Sequence, residues 1–169
     1  MSCQRFTLSP FDPTPPLPSH AAPLGLILVR RCAHGYTQSV ELWDVSGNSA
    51  FESGWPAVSQ HADGVVLVYN PEKAGNDVEV GDWFDEFAKG NPRVGDLAAQ
   101  CLVLAHRPAP SAQRIASKIP AKVKVAGLGV VETSFGDSAA ATVLQQNFVD
   151  FLLKCFDARA RVQQQQRGD

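Results

Sequence analysis

The chain has 169 residues, 44% of them hydrophobic and 19% charged, with a net charge of -2, which suits one compact domain with a tail at most. So balanced a charge gives no overall field for nucleic acid or an anionic membrane, and no apolar run approaches the roughly 20 residues that span a bilayer. Four separated cysteines, Cys3, Cys32, Cys101 and Cys155, contain no C-x-x-C and fit reduced thiols better than a disulfide framework or a structural zinc site.

Six of the twelve prolines (Pro10, Pro13, Pro15, Pro16, Pro18, Pro23) fall within residues 1–23. Proline removes backbone donors and favours extended polyproline II segments, so this part reads as a disordered leader with no strand-like run. Its P-x-x-P spacings lack an adjacent basic residue, which weakens the reading as a proline-domain ligand. The folded domain is expected over residues 24–160 and a polar tail over 161–169, where Gln163 to Gln166 precede Arg-Gly-Asp.

Leu24 to Val29 is nearly continuously apolar, and a second extended segment ends at Ser39 to Trp43, with Gly35 in the turn material between them; this predicts a hairpin. Gly64 to Tyr69 and Cys101 to Ala105 read as buried strands, and Val123 to Val131 as a third, all suited to a sheet covered on both faces. Val78 to Lys89 places Val80, Phe84 and Phe87 at helical spacing, with Trp83 alongside and Asp82, Asp85 and Glu86 facing outward. From Ala139 onward, Leu144, Phe148, Phe151, Leu152, Cys155 and Phe156 recur every three or four residues, predicting the last and clearest helix. Strands alternating with helices imply an α/β domain with a largely parallel sheet.

The segment richest in chemical information runs from Glu41-Leu42-Trp43-Asp44 through Gly47, Phe51-Glu52, Trp55-Pro56 and Asp63-Gly64 to Tyr69-Asn70. An Asp at the tip of an apolar strand sits where open α/β sheets bind ligands, and a Gly three residues later lets backbone approach a phosphate. The same Asp could simply cap the segment after its strand. Cys32-x-His34 with His20 or Cys3 has unsuitable spacing for a closed zinc site, and neither G-x-S-x-G nor H-E-x-x-H occurs. Glu72 to Asp96 carries seven acids and three bases, whereas Arg107 to Lys124 carries five bases and no acid; such asymmetry means solvated faces or docking on a charged partner.

In this context the chain resembles the small GTPases, and within them the Rab-like five family, the GTPase-like subunit of the intraflagellar transport B complex. Residues 38–107 carry the similarity, through W-D-x-x-G, F-E-x-x-W-P and Ala105-His106 in place of a base-reading Asn-Lys. The resemblance implies a P-loop NTPase-like small GTPase fold with a mostly parallel sheet flanked by helices. It implies GTP and Mg2+ as cofactors, with Asp44 approaching the metal and the Gly47 amide facing the terminal phosphate. His106 and Arg107 would stand where the base is read, and Glu132 to Ser134 where the last base-contacting loop falls. Asn48, in place of the usual water-orienting Gln, argues against fast hydrolysis, so no catalytic residue is assigned.

The departure lies upstream. Phosphate binding in this fold uses G-x-x-x-x-G-K-[ST], yet the first lysine is Lys73 and none of the six lysines precedes Ser or Thr. The sequence therefore reads as N-terminally incomplete, with GTP binding impaired or lost. The expected function is a protein-binding module on coiled-coil subunits of the intraflagellar transport B core, in cytoplasm and cilium or flagellum, without nucleic acid and without a direct membrane anchor. The alternatives are a GTP-binding switch with slow hydrolysis and a proline-rich adaptor with a degenerate domain.

Overall fold

The computed structural model describes residues 2–7, 21–30, 37–108 and 117–167, and of these residues 2–7, 21–30 and 37–39 by their backbone alone. Six strands form one sheet: β1 (Ser2–Thr7), β2 (Ala21–Arg30), β3 (Thr37–Ser46), β4 (Gly64–Tyr69), β5 (Cys101–Arg107) and β6 (Val131–Ser134), in the order β2-β3-β1-β4-β5-β6. The predicted hairpin is β2–β3, paired antiparallel from Ala21↔Val45 to Arg30↔Thr37. β1 pairs antiparallel with both β3 and β4, whereas β4–β5 and β5–β6 are parallel. Thus β3, β4, β5 and β6 point the same way and end at one edge of the sheet.

Two expectations change here. The sheet is mixed, and its parallel part is confined to β4–β5–β6. Parallel neighbours need crossover connections; those after β4 and β5 lead to an adjacent strand, whereas the one after β3 leads past β1, which runs antiparallel between β3 and β4. Within the stretch read as a leader, β1 fills the slot between β3 and β4. Ser-Cys-Gln-Arg-Phe-Thr has no apolar run that would announce a strand, and its pairing comes from neighbours on both sides. The proline cluster at residues 10–18 lies outside the described residues, as does the Cys32 to Gly35 turn.

Helices cover both faces. A 3-10 helix (Ser49–Gly54) leads into α1 (Trp55–Ser59); α2 (Asn76–Trp83) passes into a π-helix (Phe84–Lys89), and α3 (Leu97–Gln100) precedes β5. The π turn closes where the Gly90 amide reaches Asp85 O at 2.8 Å. Val80, Trp83, Phe84 and Phe87 from this helix pack with Val65, Leu67 and Tyr69 of β4, Val103 of β5, Trp55 and Val58. The opposite face holds Val40, Leu42, Val66 and Leu104 beneath Phe151, Leu152, Cys155 and Phe156 of α5 (Ser138–Arg167). Alternate β4 residues thus serve opposite cores, the pattern expected of a doubly covered strand.

The stretch expected as a third apolar strand, Val123 to Val131, instead divides into α4 (Ala121–Val125), a turn and β6. Val123 is fully buried while Val125 is 89% exposed. Pro120 starts this helical turn, and Gly127 at φ +72° ends it as the Leu128 amide returns to Val123 O at 3.2 Å, which is how a left-handed glycine stops a helix.

The start of β4 is joined to α5 through a polar knot. The buried Gln100 amide donates to Asp63 O at 2.8 Å and Arg93 O at 2.9 Å, and its oxygen accepts from the Gly95 and Asp96 amides at 3.0 Å each. Asp63 receives Arg159 of α5 at 2.7 Å and Arg93 at 3.5 Å. Gly64 is there because a Cβ would lie 2.6 Å from Cys155 Sγ and 2.8 Å from Phe151 Cζ. Both described thiols are buried, and desolvation pushes Cys101 up to about 12 and Cys155 higher still, so they act as small core residues.

Replacing Gln100 by Leu leaves four backbone groups without their partner. At about 1 kcal/mol per net hydrogen bond, with more for groups stranded away from water, unfolding in urea should show a loss of about 3 kcal/mol or more. A loss below about 1 kcal/mol would show that solvent reaches this knot.

Candidate functional site

The common edge where β3, β4, β5 and β6 end carries all four candidate residues. Asp44 lies two residues before the end of β3, its backbone opposite Gln4 and Ala22. Strand alternation puts its side chain on the face of Val40 and Leu42, beneath α5. Among the described residues its buried Oδ1 has no hydrogen-bond partner.

Gly47 follows the strand and is covered by an aromatic ring. A Cβ at Gly47 would stand 2.2 Å from Cζ2 of Trp83 and 2.6 Å from its Cη2, so the glycine here admits an indole. Asn48 uses its side chain to cap the following 3-10 helix, Oδ1 accepting from the Ala50 amide at 3.0 Å. Its own amide donates to Ser46 Oγ at 3.3 Å. Trp55 Nε1 donates to Ser46 O at 3.2 Å, and its ring lies 5.4 Å from that of Phe87.

On β5, His106 and Arg107 point to opposite faces. His106 Nδ1 is 2.9 Å from Thr133 Oγ1, its ring meets Phe135 edge-on at 4.5 Å, and its buried Nε2 has no partner among the described residues. Arg107 is almost wholly buried, with Glu132 at 3.2 Å, Ser117 Oγ at 3.0 Å and Glu72 at 3.5 Å. Glu132 also accepts from the Ser117 amide at 2.6 Å. Burial alone would raise the Glu132 carboxyl, but the hydrogen bonds from Ser117 and Arg107 outweigh it and hold the group below its ordinary value. Glu132, Thr133 and Ser134, expected as a base-contacting loop, are strand residues of β6 opposite Ala105, His106 and Arg107.

Asp44 and Arg107 share an edge but are not brought together. Two strands, β1 and β4, separate β3 from β5, and the register sets Asp44 level with Leu102, five residues before Arg107, so the backbones of Asp44 and Arg107 stand about 20 Å apart at the usual strand spacing and rise. The contrast between acidic and basic stretches resolves into pairs across neighbouring elements. Lys118 meets Asp77 at 2.5 Å, and Lys122 meets Asp85 at 2.7 Å and Asp82 at 2.9 Å. The hydrogen bonds to Asp85 and then Asp82 raise the Lys122 ammonium, and that from Lys118 lowers the Asp77 carboxyl. Tyr69 OH adds a tie to Lys118 O at 3.0 Å.

Among the described residues no group of three or more His, Cys, Asp or Glu side chains could hold a metal. The sequence offers no lysine followed by Ser or Thr, Trp83 lies on the side of Gly47 where a Cβ would stand, and Arg107 is engaged by carboxylates. Sequence reasoning missed Trp83 as the neighbour of Gly47 and Glu132 as the partner of Arg107. The aromatic periodicity of residues 80–87 marked Trp83 as core, but nothing local pointed to a glycine 36 positions earlier.

No protein-family model matches the chain. Over 57 residues, 34% of this chain and 26% of the relative, it is 42% identical to Intraflagellar transport protein 22 of Trypanosoma brucei brucei. Over 67 residues, 40% of this chain and 34% of the relative, it is 40% identical to Intraflagellar transport protein 22 homolog of Danio rerio. The Homo sapiens homolog is 39% identical over 66 residues, 39% of this chain and 34% of the relative. The matches thus span about a quarter to a third of the length of these curated relatives. They support the resemblance to the small GTPase-like subunit of intraflagellar transport. Among the described residues no helix is long and apolar enough to cross a membrane.

The Glu132 contacts predict an acid-sensitive contribution to stability. A carboxyl held below its unfolded value of 4.5 stabilises the fold fully above that pH and loses the contribution as pH falls through the lowered folded value. Thermal unfolding followed downward from about pH 6 should therefore show a steeper loss for the wild type than for Glu132→Gln. Identical pH profiles would show that the Arg107–Glu132–Ser117 contacts add nothing.

Proposed function

We propose that this chain is a small GTPase-like subunit of the intraflagellar transport B particle, acting as a protein-binding module on a coiled-coil partner and taking magnesium–GTP weakly or not at all. The observation that carries the reading is the similarity to relatives named Intraflagellar transport protein 22 in a chain without the phosphate-loop motif. The carboxylates around Arg107 support it, because they engage the guanidinium that the family resemblance would place where the base is read. The chain's own residues then perform binding: a fixed sheet edge and its flanking helices present a shaped surface, and no proton or phosphoryl transfer is assigned to them.

A GTP-binding switch with slow hydrolysis is the second reading. What favours it is Asp44, whose buried Oδ1 near the tip of β3 lacks a hydrogen-bond partner among the described residues; such a group invites a cation or a donor.

An epitope-tagged chain expressed in flagellated cells should be recovered from flagellar as well as cytoplasmic fractions and should co-purify with the transport particle, including its coiled-coil subunits. Recovery of the particle without the tagged chain, from cells where the chain is stably expressed, would overturn the reading.

A further inference from the structure

The segment from Ser46 through the 3-10 helix to Trp55 is held by more aromatic surface than a surface loop needs. Four contacts converge on it. The Trp83 indole lies where a Cβ of Gly47 would stand, Trp55 Nε1 reaches back to Ser46 O at 3.2 Å, the Trp55 ring leans on Phe87 at 5.4 Å, and Asn48 caps the helix through Ala50. Trp83 and Phe87 come from one continuous helical stretch. The π turn at residues 84–89 adds a residue to the helical repeat, and Trp83, Phe84, Phe87 and Ala88 are all buried. Trp55 and Trp83 are themselves 8% and 3% exposed.

We infer that Trp83, Trp55 and Phe87 form an aromatic clasp that fixes residues 46–55 in one conformation, so that the surface this segment offers a partner does not respond to nucleotide. A segment that changes shape with a ligand needs two arrangements of comparable free energy and a ligand that contacts them differently. Here the alternative arrangement must pull Gly47 from beneath an indole, break the Trp55–Ser46 hydrogen bond and expose two tryptophans. The desolvated aromatic area makes that state rare. Gly47 is then explained without a phosphate: any side chain there would enter the Trp83 ring. The inference deepens the proposed function, since it makes partner binding constitutive, but the clasp itself stands on contacts within this chain.

Hydrogen exchange of the purified full chain, read by mass spectrometry over residues 46–60 with and without magnesium–GTP and magnesium–GDP, tests it. Exchange in the wild type should be slow and the same in all three conditions. Trp55→Phe keeps an aromatic ring for Phe87 but removes the indole N–H, and should speed exchange over residues 46–55 about fivefold, the equivalent of one net hydrogen bond. Trp83→Ala should speed it further while β4 and α5 keep their protection. Nucleotide-dependent protection of residues 46–55 in the wild type would overturn the clasp, as would wild-type exchange rates in Trp55→Phe. Should Trp83→Ala fail to fold, Trp55→Phe and the nucleotide comparison still decide. Failure to co-purify with the transport particle would remove the assigned partner and leave these exchange results untouched, so the two claims fail separately.

Discussion

One side-chain amide fixes the geometry on which the rest of the structure depends. Gln100 meets four backbone groups from Asp63, Arg93, Gly95 and Asp96 and thereby sets the start of β5 against the start of β4. Beside it, Asp63 gathers Arg159 and Arg93, and the bare backbone of Gly64 lets Cys155 and Phe151 of α5 descend onto the sheet. A buried amide with every donor and acceptor used holds its neighbours to one arrangement, because any displacement strands polar groups away from water. The parallel strands that leave this edge therefore arrive at the opposite edge in fixed register.

That opposite edge is closed by two different means. At the β3 end closure is apolar, through the tryptophans around Gly47. At the β5–β6 end it is ionic: Arg107 draws in Glu132, Glu72 and Ser117, and Lys118 and Lys122 tie the segment around α4 to α2 and the π-helix. Between them, Asp44 Oδ1 and His106 Nε2 are buried without a hydrogen-bond partner among the described residues. An edge filled by its own side chains suits a surface that binds a partner by shape, which is why the protein-binding reading is preferred over the switch.

The sequence was most legible where local pattern and burial agree. Gly64–Tyr69 is a strand with the bounds its β-branched run suggests, and the apolar spacing from Leu144 to Phe156 is the buried stripe of α5. The β2–β3 hairpin and the helix carrying Val80, Phe84 and Phe87 were equally plain. Val123 to Val131 misled because Val-Lys-Val alternates like a strand, whereas Pro120 and Gly127 confine it to one helical turn. β1 could not be read at all, since its pairing comes from β3 and β4 and not from its own composition. At the sheet edge, what Gly47 and Arg107 touch could not be read, because Trp83 and Glu132 are distant from them in sequence.

The central claim is that this edge works without nucleotide, and calorimetric titration of magnesium–GTP into the purified chain tests it most directly, with Asp44→Ala titrated in parallel. No saturable heat is expected from either protein at nucleotide concentrations up to about 1 mM, where binding would be worth only about 4 kcal/mol. Saturable wild-type binding that Asp44→Ala abolishes would contradict the account and restore the nucleotide switch.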